Sequence, residues 1–372
     1  MKFLKIPSWI AKRQQVWRGL AIALLFCLLW ASTSQPSWAA RKSQLAQGNA
    51  VTDPTAILRY ALPIDNEKVY RLQASLENIA YDLRSKRWSQ VNSDIKNAAL
   101  VLDYGQDKIL KDIPQDRQET AKSYLEELNG KIDLLQEAAK NKDKEAVWTT
   151  RREMLNTVTE LEKLMVTGFP FEIPEEFADL PQLKGRATVK IETNRGPLKV
   201  RLDGYSAPIN AGNFVDLVQR GFYDGLEFFQ NQDFILQTGD PPGPEEGFID
   251  PETGEYRAIP LEVLVEGEDK PLYQITMENA GLYLERPVLP FNAYGALALA
   301  RPGDNPNGGS SQVFFFLFDS ELTPPGFNLM DGRYSVFGYL IDGKEVLEKL
   351  KPGDKIISAE VIEGSENLVN KG

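Results

Sequence analysis

The 372-residue sequence contains no histidine and one cysteine, Cys27. Without histidine, the chain has neither the Ser-His and Cys-His pairs of common nucleophilic enzymes nor the usual zinc ligands. Cys27 lies in an apolar run near the N-terminus, so the rest of the chain has no thiol. Disulfides, thiol nucleophiles and cysteine metal sites are therefore excluded there. We expect no cofactor and no metal site.

Long apolar runs are scarce, and the one at Leu20–Ala31 predicts a targeting segment. Five basic residues and no acid precede this run, and the small residues Ser37 and Ala39 fit a cleavage site after residue 39. This is the pattern of a secretory signal peptide over residues 1–39, with an apolar core too short to remain as a membrane helix. An uncleaved anchor is the alternative.

Basic residues are outnumbered, since 42 Lys and Arg stand against 53 Asp and Glu, a net charge of -11. Removal of residues 1–39 would leave 37 basic against 53 acidic residues, a net charge of -16. A surface of this sign repels nucleic acid and anionic lipid. We therefore expect no nucleic-acid binding, and no stable membrane insertion after signal cleavage.

Residues 40–167 show apolar side chains at helical spacing, in four stripes that begin near Val69, Trp88, Leu125 and Val147. Amphipathic helices with short connections bury such stripes by packing on one another, which predicts an all-α four-helix bundle. An extended coiled coil is the alternative, but the stripes are interrupted too often to sustain its heptads. A shorter helix is predicted before the bundle, at Pro54–Tyr60.

The pattern changes after the helices. Residues 168–185 contain three prolines and a block of acids, which predicts a semi-rigid linker. Ala187–Asp203 then alternates apolar and polar residues around a turn at Asn194–Pro197, as in a β-hairpin. Short strand-like runs recur through residues 186–366, with a helix at Asn210–Arg220, and residues 367–372 form a tail. Many short strands and few helices favour a closed, mainly-β barrel.

Two of the apolar runs end in glutamine, serine or glycine, as in barrel strands that direct a few polar groups into an apolar groove. These runs are Gly221–Asp240 and Gly308–Phe316. With three further segments, their order along the chain resembles that of the cyclophilin family of peptidyl-prolyl isomerases. The further segments are Ala207–Phe214, Gly295–Ala300 and Leu329–Gly338.

The layout of the whole chain is similar to that of the thylakoid-lumen immunophilins, in which a PsbQ-like helical domain precedes a divergent cyclophilin-like barrel. An insertion between Asp240 and Gly295 fits that group as well. The resemblance implies a multidomain protein with a PsbQ-like bundle and a cyclophilin-like closed barrel. It also implies export to the thylakoid lumen, with the periplasm as the alternative. The expected partners are proline-containing protein segments, including those of photosystem II subunits.

Prolyl isomerisation twists an amide bond against a barrier of about 18–20 kcal/mol. A catalyst needs an apolar cup for the proline ring and donors that bind the twisted state better than the planar one, but no base or metal. By the resemblance, Gln230 and Gln237 would be the catalytic donors. The substrate-binding residues would be Phe234, Ile235, Ala300, Arg301, Gln312, Phe314, Leu329, Met330 and Tyr334.

Several of these residues also have structural interpretations. Aromatic residues at a period of two are commonly barrel core, and we expect this of Phe316 but place Phe234 and Phe314 in the cup by the resemblance. Gln237 and Gln312 lie near glycines, which favours close backbone approach at a groove. The alternative, polar side chains exposed on a strand, stays open for both.

The sequence departs from the cyclophilin pattern at the position where the family has an arginine. Gln230 stands there in one alignment and Phe229 in another. A neutral donor makes a hydrogen bond about half as strong as a charged one, and loss of a preorganised donor costs roughly 10²–10³ in rate. Leu329 stands where many family members have tryptophan, and Tyr334 where they have histidine. Arg301, at a position usually filled by asparagine, is a candidate substitute cation; a solvated surface arginine is the alternative. The sequence predicts a weak isomerase that assists protein folding or assembly; the alternative is an inactive binding or assembly scaffold whose bundle docks on or autoinhibits the barrel.

Overall fold

The structure, a computed structural model, describes residues 51–370 except Asp233, Glu252 and residues 319–327, with the backbone alone for residues 230–232. The signal peptide predicted over residues 1–39 lies outside the described residues. Those described all belong to one compact unit, Leu45–Gly372. None of the described helices combines the length and the apolar content of a membrane-spanning segment.

The first part of the described chain is helical, as the apolar stripes predicted. Asp53, Asn66 and Asp143 each accept backbone N–H bonds in the first turn of the helix that follows them. Such caps satisfy donors that have no partner within the helix, and so they fix where the helices begin. The helices are α1 (Pro54–Tyr60), α2 (Glu67–Arg84), α3 (Trp88–Tyr104), α4 (Gln106–Lys111), α5 (Gln118–Lys140) and α6 (Lys144–Met165).

The apolar stripes of α2, α3, α5 and α6 contribute to one core. Leu72, Leu76 and Ile79 of α2 are fully buried in it. Helix α4 is an addition to the prediction, because Gly105 interrupts the chain after α3 and Ile109 then packs back into the same core. The helical N-terminal region is confirmed.

The rest of the described chain is mainly β-structure. Its strands are β1 (Gln182–Leu183), β2 (Arg186–Thr193), β3 (Gly196–Asp203), β4 (Phe229–Gln232), β5 (Ile235–Thr238), β6 (Glu262–Val263), β7 (Leu272–Tyr273), β8 (Ala296–Leu299), β9 (Val313–Phe316), β10 (Val336–Asp342), β11 (Ile356–Glu363) and β12 (Leu368–Val369). Eight of them form one antiparallel sheet in the order β11-β2-β3-β10-β8-β9-β5-β4. Two helices accompany the strands, α7 (Pro208–Gln219) and α8 (Lys344–Leu347).

Side chains alternate between the two faces of this sheet, as the period of a strand requires. Along β9, Val313 and Phe315 join the core that also contains Phe214 of α7. Phe314 and Phe316 belong to a separate apolar cluster on the opposite face, which we call the outer face. Strands β5 and β8 follow the same alternation, so each contributes to both clusters.

The eight-stranded sheet curls into a half-barrel that is open by its strand pairing, and the predicted closed barrel is not confirmed. In the described residues the edge strands β11 and β4 are not neighbours in the sheet. The chain just before β4 approaches β11 instead: the N–H of Ile356 donates to the carbonyl of Leu226 at 2.9 Å, and the N–H of Phe228 donates to Asp354 at 2.7 Å. A loop segment, rather than a strand ladder, therefore lines this edge.

Helix α1 connects the helical region to the outer face of the sheet. Its residues Ile57 and Leu58, with Ala61 just after it, belong to the same apolar cluster as Phe314 and Phe316. The guanidinium of Arg186 donates to the carbonyl of Leu58 and, at 2.6 Å, to Asp203. An apolar contact and a hydrogen bond from the ion-paired Arg186 thus hold α1 against the β-region.

Candidate active site

The outer face of β5, β8 and β9 brings several predicted site residues together. The strand register places Gln237 opposite Phe314, and Ile235 opposite Phe316. Directly paired residues of antiparallel strands point to the same face, so these four side chains share the outer face. Ala298 pairs with Phe314 from the other side and leaves room for that ring. The sheet therefore assembles an aromatic surface with an amide at its edge.

Phe314 is the centre of an aromatic cluster. The ring of Phe291 is parallel to it at a centroid distance of 5.9 Å, and the ring of Tyr334 meets it edge-on at 5.4 Å. Phe316 also packs on Phe291, at 5.4 Å, and on Phe234, at 6.0 Å. Phe314 is only 2% exposed, whereas Phe234 is 37% exposed. The surface predicted as a proline cup is thus covered over Phe314 and open at Phe234.

Two glutamines form a hydrogen-bonded pair beside this surface. The Nε2 of Gln237 donates to the Oε1 of Gln312 at 2.5 Å. The Nε2 of Gln312 in turn donates to the Oδ1 of Asp240 at 3.0 Å and to the carbonyl of Glu246 at 2.8 Å. Because Gln312 is held on the far side, the amide of Gln237 has a defined orientation. These are the two glutamines that the resemblance placed in the groove.

Arg301 and Tyr334 lie together at one rim. The Nε and Nη2 of Arg301 donate to the carbonyl of Arg333 at 2.9 and 2.6 Å, and Nη1 donates to the carbonyl of Pro302 at 2.8 Å. Its guanidinium carbon lies 5.3 Å from the centroid of the Tyr334 ring. Burial lowers the pKa of Arg301 from its ordinary value, and the nearby Tyr334 opposes this shift. The predicted substitute cation therefore makes several contacts with its own chain.

The remaining predicted site residues differ in their exposure to solvent. Ile235 is buried, Ala300 and Met330 are half-buried against the outer cluster, and Leu329 is 86% exposed. The structure brings Met330 to the aromatic surface but leaves its neighbour Leu329 in solvent. The side chain of Gln230 lies outside the described residues. The backbone register of β4 pairs Phe229, not Gln230, with Gln237, as in the second of the two alignments.

Sequence reasoning missed Phe291 and the residues that hold it. The Oδ1 of Asp331 accepts the N–H of Phe291 at 2.8 Å, and the Nδ2 of Asn328 donates to the carbonyl of Phe291 at 3.1 Å. Burial raises the pKa of Asp331 to about 6, although the two N–H groups that it accepts oppose the shift. No spacing in the sequence pairs Phe291 with Phe314, since the contact depends on how the insertion folds back. The described residues include no cluster of three or more acidic side chains arranged to hold a metal ion.

Comparison with known proteins gives matches over both regions. Residues 53–166 match the family described as "Peptidyl-prolyl cis-trans isomerase CYP38-like, PsbQ-like domain", and residues 188–363 match "Cyclophilin type peptidyl-prolyl cis-trans isomerase/CLD". The chain is 59% identical over 383 residues to a Synechocystis protein named "Putative thylakoid lumen peptidyl-prolyl cis-trans isomerase sll0408", covering 100% of this chain and 99% of that one. It is 43% identical over 339 residues to the chloroplastic peptidyl-prolyl cis-trans isomerase CYP38 of Arabidopsis thaliana, covering 88% and 78% of the two chains. A solved cyclophilin of Cryptosporidium parvum is 26% identical with a TM-score of 0.34, and covers 47% of this chain and 98% of its own.

Proposed function

This chain belongs to the cyclophilin-type peptidyl-prolyl cis-trans isomerases that carry a PsbQ-like N-terminal domain, and on that premise we propose that it is a slow isomerase of the thylakoid lumen. The names of the two relatives support the location, since one is called a thylakoid lumen protein and the other chloroplastic. The substrates we propose are proline-containing segments of proteins that fold or assemble in that compartment.

The observation that carries this proposal is the amide pair of Gln237 and Gln312 beside the aromatic surface of Phe314. As the bond before proline twists, resonance is lost and a lone pair forms on the prolyl nitrogen. Gln237 has two N–H donors, of which Gln312 takes one. We assign the second to the twisted peptide, where a fixed donor costs no reorganisation and so stabilises the transition state.

The apolar part of the site would bind the proline ring. Exposed Phe234 and half-buried Met330 lie at the accessible edge of the outer cluster, with the buried side chain of Ile235 in the same cluster. Burial of a proline ring against them removes apolar area from water. This contributes roughly 25 cal/mol of favourable free energy per Å² buried. It also lowers the local dielectric constant, which strengthens the hydrogen bond from Gln237. Neither the apolar surface nor the amide donor of Gln237 needs an ionisable group, which agrees with a chain that has no histidine.

Slow turnover follows from the residue paired with Gln237. That residue is Phe229, whose side chain has no hydrogen-bond donor. Gln230, the other candidate for the arginine position of the family, has a neutral amide. Neither residue places a cation beside the twisting bond, and loss of one preorganised donor costs roughly 10²–10³ in rate in other enzymes.

The proposal is tested by restoring an arginine in the protein that begins at residue 40. Isomerisation of a short Xaa-Pro peptide would be followed by NMR exchange for the unsubstituted protein, Phe229→Arg and Gln230→Arg. We expect at least one variant to increase kcat/KM by about 10²-fold. Ile362→Arg, at an exposed site of β11, is the matched control. A peptide that binds all the proteins and is isomerised by none of them would contradict the proposal.

One observation favours a second function, a binding or assembly scaffold autoinhibited by its helical region. Ile57 and Leu58 of α1 pack in the same cluster as Phe314, so the helical region already contacts the outer face. If this contact masks the groove of a scaffold, Leu58→Asp should increase peptide binding without giving turnover. Leu100→Asp on the exposed side of α3 is the control. Equal binding by both variants would exclude masking by α1.

We also propose the finer features of the architecture and the client. The shared core of α2, α3, α5 and α6 supports a four-helix bundle, and the Glu227–Lys355 bridge supports a barrel that closes at that edge. The domain limits 40–167 and 186–366, with the linker 168–185 between them, belong to the same proposal. The PsbQ-like match supports photosystem II subunits as clients, which co-purification from thylakoid membranes would test.

A further inference from the structure

The groove surface around Phe314 is covered by two aromatic rings that differ in their exposure to solvent. Phe291, on one side, is 0% exposed and its backbone is held at both ends, by Asp331 and by Asn328. Tyr334, on the other side, is half-buried and meets Phe314 with its edge. A proline ring can extend from the open edge at Phe234 onto Phe314 only where one of these rings is displaced, and of the two only Tyr334 is partly exposed to solvent.

Arg301 holds Tyr334 in the covering position. Three of its nitrogens donate to backbone carbonyls, two of them to Arg333, the residue directly before Tyr334. The same guanidinium lies over the face of the Tyr334 ring at 5.3 Å. Arg301 therefore fixes both the backbone just before Tyr334 and the ring of Tyr334. A cation over an aromatic face and an edge-to-face ring pair each add attraction beyond simple burial.

We propose that Tyr334, positioned by Arg301, determines the affinity of the groove for proline-containing segments. The covering ring must leave Phe314 before the proline ring can take its place, and the lost ring contacts reduce the affinity for every such segment. This inference rests on the proposed function, because it concerns the same groove. It concerns the binding of the peptide, whereas the proposed function concerns the hydrogen-bond donor Gln237 in the chemical step.

The proposal predicts a particular kinetic pattern. Removal of the cover improves binding of the ground state and the transition state equally, which lowers KM and leaves kcat unchanged. Tyr334→Ala and Arg301→Asn should each lower the Kd of a blocked Ala-Pro tetrapeptide, the first by about 5- to 50-fold and the second by about 3- to 10-fold. A general loosening of the fold would lower kcat as well.

The experiment measures the Kd by NMR titration and the turnover by exchange spectroscopy, in the protein that begins at residue 40. Lys344→Asn removes a cation from the face of another ring, Tyr294, outside the groove, and Tyr283→Ala removes an exposed ring. Both controls should keep the Kd of the unsubstituted protein.

A Kd unchanged in both groove variants would overturn the inference, and so would a Tyr334→Ala protein that binds no peptide, since its Phe314 should then be accessible. Tighter binding without turnover in any variant would support the inference and reject the isomerase proposal. Because Arg301→Asn keeps the Tyr334 ring, a folding defect confined to Tyr334→Ala would not decide the result.

Discussion

Glu162 of α6 allows a sharp test of the buried charge network between the helices and the sheet. Its side chain is fully buried, and both carboxyl oxygens have no hydrogen-bond partner. The basic groups that face it are committed elsewhere: Arg59 of α1 binds Glu77 of α2 at 3.0 Å, and Arg186 of β2 binds Asp203 at 2.6 Å. Burial raises the pKa of Glu162 well above its ordinary value, helped by the charge of Glu77 and opposed by those of Arg59 and Arg186.

Glu162→Gln removes this carboxyl group. The sign of its effect on the free energy of unfolding follows from proton linkage. A pKa that is higher in the folded than in the unfolded chain means that folding takes up a proton as the pH rises above about 4.5. Stability is then fully present below that pH and falls as the pH rises toward the folded pKa. Each pH unit over which this carboxyl is protonated in the folded chain but ionised in the unfolded chain lowers the stability by about 1.4 kcal/mol. The amide takes up no proton and avoids this loss.

Urea unfolding followed by tryptophan fluorescence at a series of pH values between 4.5 and 7.5 would measure the effect. We expect the free energy of unfolding of Glu162→Gln to gain on that of the unsubstituted protein as the pH rises above about 4.5, by at most about 1.4 kcal/mol per pH unit. Half-buried Asp94 and buried Glu262, whose pKa values are both raised to about 7, change the stability of the two proteins alike and cancel in the difference. Glu126→Gln, on the exposed side of α5, should give a flat difference. Parallel curves of unfolding free energy against pH for Glu162→Gln and the unsubstituted protein would contradict this prediction.

Three further predictions concern particular contacts. Gly239→Ala should disrupt the glutamine pair and abolish peptide binding in an NMR titration, because Gly239 has a φ of +93° and a Cβ there would lie 2.3 Å from the carbonyl of Ser311. Leu76→Ala should lower the free energy of unfolding by about 2–5 kcal/mol in urea, since the side chain is fully buried; a loss under 1 kcal/mol would mean that the core collapses around it. Asp143→Ala should cost about 1 kcal/mol by the same assay through loss of the α6 cap, and an unchanged midpoint would show that this cap contributes nothing.

The helices and strands were largely predictable because each depends on local periodicity. Leu72, Leu76 and Ile79 repeat at helical spacing and are all buried in one core. Val313 to Phe316 form a continuous apolar run, and the structure buries both of its faces. The α4 helix was not predictable, since a short segment after Gly105 becomes helical only through the packing of Ile109.

The candidate site was predictable where it depends on strand order and not where it depends on register or on the insertion. Gln237, Gln312 and Phe314 come together on one face because the sheet pairs β5 with β9. The residue opposite Gln237 could not be chosen from the sequence, since a shift of one residue exchanges Phe229 and Gln230.

The helical first region, the β-rich second region and the excluded chemistry follow from the amino-acid sequence, because composition depends on which residues are present and periodicity on their order. Three contacts could be seen only in the folded chain: Phe291 on Phe314, Arg301 on Tyr334, and α1 on the outer face. These contacts join segments far apart in the chain, and each exists because long-range packing leaves one apolar surface for another to cover. Local sequence patterns do not indicate which surfaces will pack together.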